Sequence, residues 1–365
     1  MINFPIGVQK IALEIVMGFA YLKKSCAIVN SKKNRLCKEK AAAILQTCDE
    51  IINNEHNGQF SLYVWQSDSD IQTNTNVNEV IALRATQILD MSINNTLVID
   101  ATKDVNMSQN SNDAYSTAMR IACVLEIEKR LAPSIKVLKR SFKTKAKEYD
   151  LAIKAEKVEQ YDSKVLTIGQ EIGVHIQMLK KVKKQIKQCL KYLRELDINT
   201  NITEDTDKEF ENFSNMISKV LNKQIPSKSK FKSRPNKVHG LATHDAEVML
   251  SGTLNTLASN LIKISNDVRY QIFETKCVMS EINQKKLNND TLILDEKEYI
   301  RQCETMSIVC AQIMGNHTTI SVSASHGNFE LNVFKPVIAY NLLQSIRLLG
   351  DIVISFNNTC VQRIK

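Results

Sequence analysis

Apolar residues recur at alternating spacings of four and three from His244 to Arg269, where Leu250, Leu254, Leu257, Leu261, Ile264 and Val268 form one continuous stripe. Such a stripe is the buried seam of an α-helix packed lengthwise on other helices. A second stripe runs from Ile172 to Leu196 through Ile176, Leu179, Val182, Ile186, Leu190 and Leu193. A third, from about Ser116 to Lys154, turns Ile121, Leu125, Leu131, Ile135 and Leu138 inward, with Pro133 as the expected kink. Two more run from about Ile300 to Gly315 and from Pro336 to Phe356. Five long helices predict an all-α bundle. The opening segment, to about Asp104, reads as shorter helices and polar stretches. Residues 199–233 read as a polar excursion with one short amphipathic helix built on Phe210, Phe213, Met216, Ile217, Val220 and Leu221.

Composition supports this. The 365 residues include only ten glycines and five prolines, so tight turns are few. Nine cysteines lie scattered without a C-x-x-C pair, and no apolar leader opens the chain, which reads as reduced thiols in an intracellular protein. A net charge of +9 suits a nucleic-acid, membrane or anionic partner. The lysine cluster KKVKKQIKQCLK at Lys180–Lys191 keeps helical spacing and lacks interleaved aromatics, so it reads as a solvated helix face and not a nucleic-acid site. No run approaches the roughly eighteen apolar residues of a membrane span. The expectation is a soluble protein without a nucleic-acid or membrane partner.

Four blocks carry a family resemblance. Trp65 to Arg84 reads WQSDSDIQTNTNVNEVIALR, Asp104 to Ala118 reads DVNMSQNSNDAYSTA, Gln302 to Gly315 reads QCETMSIVCAQIMG, and Gly327 to Pro336 reads GNFELNVFKP. LTIGQE at Leu166–Glu171 and HDA at His244–Ala246 continue the match between them. These resemble the signature blocks of class II fumarases, in the fumarase/aspartase superfamily, across essentially the whole chain. The resemblance implies a smaller N-terminal helical region, residues 1–104, and an oligomerisation core of long helices, residues 105–365. That core would hold the excursion at 199–233 and a remnant catalytic loop at 280–300. It also implies a homotetramer with sites shared between subunits, and a further N-terminal stretch and small C-terminal domain that this chain lacks.

The family reaction is the reversible hydration of fumarate to L-malate, a step of the tricarboxylic acid cycle that needs no cofactor. Its carbanion-like intermediate requires a base and donors fixed in advance. By resemblance, Thr291 stands at the catalytic serine of the family loop GSSIMPGKVNP and Lys297 at its substrate-binding lysine, but the stretch here is DTLILDEKEYI, without glycine or proline. Glu159, in EKVEQYDS, stands where the family motif GRTHTQDA has its active-site histidine, and Glu304 matches the glutamate paired with that histidine. Ser69, Ser111 and Asn112 match substrate contacts. Asp68 and Asp70 replace the two glycines beside Ser69, Ile71 replaces a threonine, and NITEDTDKEF replaces GGTAVGTGLN.

Each new carboxylate about 4 Å from a dianion costs on the order of 4 kcal/mol at an effective dielectric near 20. Asp68, Asp70 and Glu159 are the candidates. Plain structural readings stand beside these: Thr291 and Lys297 in a solvated loop, Glu159 and Glu304 as a structural acidic pair, Asn112 as a helix N-cap. His175, His244 and His317 lie on bundle helices without metal-ligand spacing, which reads as satisfied interior or interface histidines. Two functions follow: a fumarate hydratase-like protein with strongly impaired activity, or a noncatalytic paralogue acting as an oligomeric partner. The partners expected are further copies of the chain or an active fumarase, with a dicarboxylate such as fumarate or malate if the site survives. The expected location is cytoplasmic as written, or mitochondrial if a leader precedes Met1.

Overall fold

The computed structural model describes residues 6–93, 98–152, 166–198, 207–225, 227, 229–282, 289–329 and 331–364. Among these the protein is all-α apart from two short strands. Eleven helices occur in order: α1 Leu13–Lys32, α2 Lys38–Ile52, α3 Ser69–Ile93, α4 Ser111–Glu126, α5 Ala132–Glu148, α6 Ile168–Leu193, α7 Asp207–Gln224, α8 Lys237–Ala242, α9 Asp245–Ile282, α10 Asn289–Ala324 and α11 Lys335–Thr359. Strands β1 (Glu195–Leu196) and β2 (Lys232–Ser233) pair in parallel.

The chain divides into two compact units. The first comprises Met1–Leu125, Cys189–Val248 and Thr319–Leu343; the second comprises Glu126–Gln188, Met249–Thr318 and Gln344–Lys365.

In the first unit α1 packs against α2, α3 and α7. Ile15, Val16, Phe19, Leu22, Lys23, Cys26 and Val29 bury α1 on nearly every side. Gly18 makes part of this packing possible, because a Cβ there would lie 2.3 Å from the Ala118 carbonyl oxygen. The opening region thus holds three long helices where short ones were expected. An all-round buried helix has no polar face, so the periodicity that marks a surface helix is weak.

The second unit takes its core from the predicted seams. Ile135, Leu138 and Phe142 of α5, Ile172, Leu179 and Val182 of α6, Leu254, Leu261 and Val268 of α9, and Leu349, Val353 and Phe356 of α11 are all buried. The expected continuous helix from Ser116 to Lys154 is instead α4 and α5 joined by a π-helical turn at Ile127–Leu131. Pro133 follows directly on this turn, and the backbone at Leu131 and Ala132 is helical, so the π-helical turn carries the chain into α5 just before the proline.

The polar excursion holds the expected amphipathic helix as α7, 18 residues long. The segment expected as a remnant loop is helical from Asn289 onward, in keeping with its lack of glycine and proline. The span Lys335–Arg363 is long and apolar enough to cross a membrane by composition, contrary to the sequence reading, but most of it is buried inside the protein as a core helix is.

Candidate functional site

The approach to α3 reverses direction at Asp68, whose φ of 57° lies in the left-handed region and whose carbonyl accepts the Gln72 N–H at 2.9 Å. Aspartate tolerates this conformation better than most non-glycine residues. The turn starts α3 at Ser69, which is fully buried and donates through Oγ to the Tyr63 carbonyl at 3.0 Å. It also turns Asp70 inward, onto the ammonium of Lys335 at the start of α11.

The start of α4 lies beside it. Asn110 caps this helix, its Oδ1 accepting the Asn112 N–H at 3.0 Å, so the capping role expected of Asn112 belongs to its neighbour. Ser111 accepts from Asn74 Nδ2 at 3.0 Å, and Asn74 Oδ1 accepts from Lys23 Nζ at 2.7 Å. Lys23 also donates to Asn106 Oδ1 at 2.8 Å. Its side chain is wholly buried, and burial pushes its pKa down to about 8. With Oδ1 held by the lysine, Asn74 presents its amide nitrogen to Ser111.

Asn112 turns its Oδ1 toward Lys335 Nζ at 3.4 Å, and Asp70 Oδ2 lies 3.3 Å from the same nitrogen. Lys335 is fully buried and Asp70 nearly so. Asp70 was expected to repel an anionic ligand as a free charge; instead its carboxylate is paired with a buried lysine. The positive charge that could attract an anion here is already balanced.

Arg120 of α4 anchors a second buried polar group in the same unit. Its Nε donates to Glu247 Oε1 at 2.7 Å, and its Nη1 donates to Asp197 and to the Glu195 carbonyl. Arg234 Nε lies 2.8 Å from Asp197 Oδ1 but too bent to hydrogen-bond. Burial alone would raise the Glu247 pKa, but Arg120 and His244 hold it below the usual carboxylate range. His244 is buried, with neither ring nitrogen hydrogen-bonded and Nδ1 3.9 Å from Glu247 Oε2. Burial pushes its pKa down, opposed by Glu247 and reinforced by Arg120 and Lys335. It is an interior histidine, as read, but not a satisfied one. His175, in the second unit, bonds Asp267 through Nε2 at 3.0 Å, and His317 bonds Ser251 at 2.9 Å.

Of the sequence-predicted site residues, Ser69, Ser111 and Asn112 fall together in the first unit, joined by Asn74, Lys23 and Lys335, which sequence reasoning missed. Lys297 and Glu304 belong to the second unit, both exposed on α10. Thr291 is helical in backbone, its side chain outside the described residues, and Glu159 lies outside them altogether. An open pocket of about 680 Å³ in the second unit, lined by Asn266, Asp267, Arg269, Tyr270 and Ile300, includes none of the predicted residues. Among the described residues no group of three His, Cys, Asp or Glu side chains is arranged to hold a metal.

A long-helix protein with hydroxyl and amide side chains gathered at the starts of α3 and α4 matches a known class. The family profile described as Lyase matches residues 1–315. The chain is 43% identical over 363 residues to a class II fumarate hydratase of Helicobacter pylori, covering 100% of this chain and 78% of that protein. A Bacillus cereus class II fumarate hydratase is 42% identical over the same length and coverage. The crystal structure of a class II fumarase from Schistosoma mansoni superimposes with a TM-score of 0.80 at 30% identity, covering 99% of this chain and 78% of that one. The chain belongs to the class II fumarase family of lyases.

Proposed function

We propose that the protein is a fumarate hydratase-like member of this family whose capacity to hydrate fumarate is strongly impaired. The observation that carries this reading is the inward commitment of the retained site residues: Ser69 to the Tyr63 carbonyl, Ser111 to Asn74, and Asn112 with Asp70 to Lys335. A site that handles a dianion needs donors left open and pre-aimed at the developing charge. Here Ser69 spends its donor on the protein, and the Lys335 ammonium is held by Asp70 and Asn112. Glu159 at the position of the family's histidine adds a carboxylate and removes a proton-transfer group, and such a group contributes roughly 10²–10⁴-fold in rate.

The preserved apolar seams support a retained assembly role. In this reading residues 105–365 form the oligomerisation core, with residues 1–104 as the smaller helical region. The core builds a homotetramer or joins an active fumarase as a noncatalytic partner. Thr291, Glu304 and Lys297 are then remnants of a site that would take fumarate or malate. Two measurements on the purified chain test the reading: light scattering for assembly size, and the loss of fumarate absorbance for turnover. A tetramer with turnover at least about 10²-fold below a class II fumarate hydratase is expected. A monomer would refute the assembly role, and full turnover the loss of activity.

A further inference from the structure

Among the described residues the buried ammonium of Lys335 has two polar partners. Asp70 Oδ2 at 3.3 Å and Asn112 Oδ1 at 3.4 Å sit at the long edge of hydrogen bonding, and Asp70 alone of the two carries charge. Glu247, the other buried carboxylate whose field shares His244 with Lys335, is taken up by Arg120. An isolated buried ammonium is costly unless an anion accompanies it. Asp70 is that anion, delivered on a short side chain from the first turn of α3.

The surroundings have the character of a small-anion site. Asn112 supplies an amide, Ser111 and Asn74 lie alongside, and the Tyr115 hydroxyl, wholly buried, has no hydrogen-bond partner among the described residues. Burial, joined by the Asp70 charge, pushes the Tyr115 phenol well above its ordinary pKa. A carboxylate fits this setting because it offers one negative charge with two acceptor oxygens.

We propose that Lys335 and Asn112 form a carboxylate-binding site occupied in this chain by its own Asp70, and that a free small carboxylate takes the same place once the Asp70 carboxylate is removed. The native chain is therefore closed to external carboxylates here by an internal competitor that the first turn of α3 holds in place. This gives the impaired-site reading a specific cause, but it depends only on the side chains around Lys335 and not on turnover.

The test is chemical rescue in the full chain. Asp70→Gly should melt below the native protein and regain stability saturably with sodium formate or acetate, relative to sodium chloride at equal ionic strength. At ten times its Kd the carboxylate shifts the unfolding equilibrium about elevenfold. The native chain and the double variant Asp70→Gly/Lys335→Met should show no response beyond the chloride control. Asp70→Ser serves for the same comparison if glycine at this helix start prevents folding. Absence of a carboxylate-specific shift in the folded variant overturns the inference, as does an equal shift without Lys335. Fumarate turnover by the native chain would refute the functional proposal while leaving rescue readable, so the two failures are separable.

Discussion

Replacing Arg120 by methionine removes the cation from the buried group formed with Glu247 and Asp197. The arginine side chain is 1% exposed and both carboxylates are 0% exposed, so water cannot take over its role. Asp197 keeps Arg234 at 2.8 Å. Among the described residues the remaining cationic neighbour of Glu247 is His244 at 3.9 Å, and its Oε2 already lacks a hydrogen bond. Breaking a buried pair by deleting one partner costs about 3–5 kcal/mol. In a unit of about 200 residues this corresponds to a fall in Tm of roughly 6–20 °C. Near-UV circular dichroism during thermal unfolding reads it. The signature is non-additivity: Arg120→Met/Glu247→Met should be more stable than Arg120→Met alone, because the second change removes the stranded charge. A single variant within about 1 °C of the native protein, or a double variant less stable than the single, would refute the reasoning.

Other outcomes follow from individual residues. Lys23 has a folded pKa near 8 against an ordinary 10.5, so the folded state binds fewer protons than the unfolded chain between those values and stability rises with pH across that window. Urea unfolding at pH 7.5 and pH 10 should show a gain of up to about 3 kcal/mol that Lys23→Met lacks. Gly18→Ala forces a methyl against the Ala118 carbonyl at 2.3 Å and should cost about 1–3 kcal/mol by denaturant titration. Exposed Lys297→Ala should leave the unfolding free energy in urea unchanged within about 0.5 kcal/mol.

Much of the fold was legible because the seams of the long helices are periodic. Leu250 through Val268 and Leu179 through Leu193 are buried where their spacing predicts. Helix α1 was not legible, since a helix buried on nearly every side shows no contrast between faces. The joint between α4 and α5 was misplaced because Pro133 is the visible breaker, whereas the π-helical turn before it leaves no residue signal. Ser69, Ser111 and Asn112 were reached through motif likeness. Lys23 and Lys335 were missed for lack of a local cue: each is a lysine beside ordinary helix residues whose burial depends on partners 51 and 265 positions away. The Arg120 group hides for the same reason, since Glu247 is 127 positions distant. Sequence reading of Asp70 identified the new charge but not its counterion.

Under the proposed function, the helical scaffold of a class II fumarase persists while its means of handling a doubly charged acid has been overwritten. The most direct measurement is kcat/KM for fumarate, taken side by side with the Helicobacter pylori class II fumarate hydratase under identical conditions. A ratio at least about 10²-fold in favour of the bacterial enzyme is expected. Equal efficiencies would contradict it.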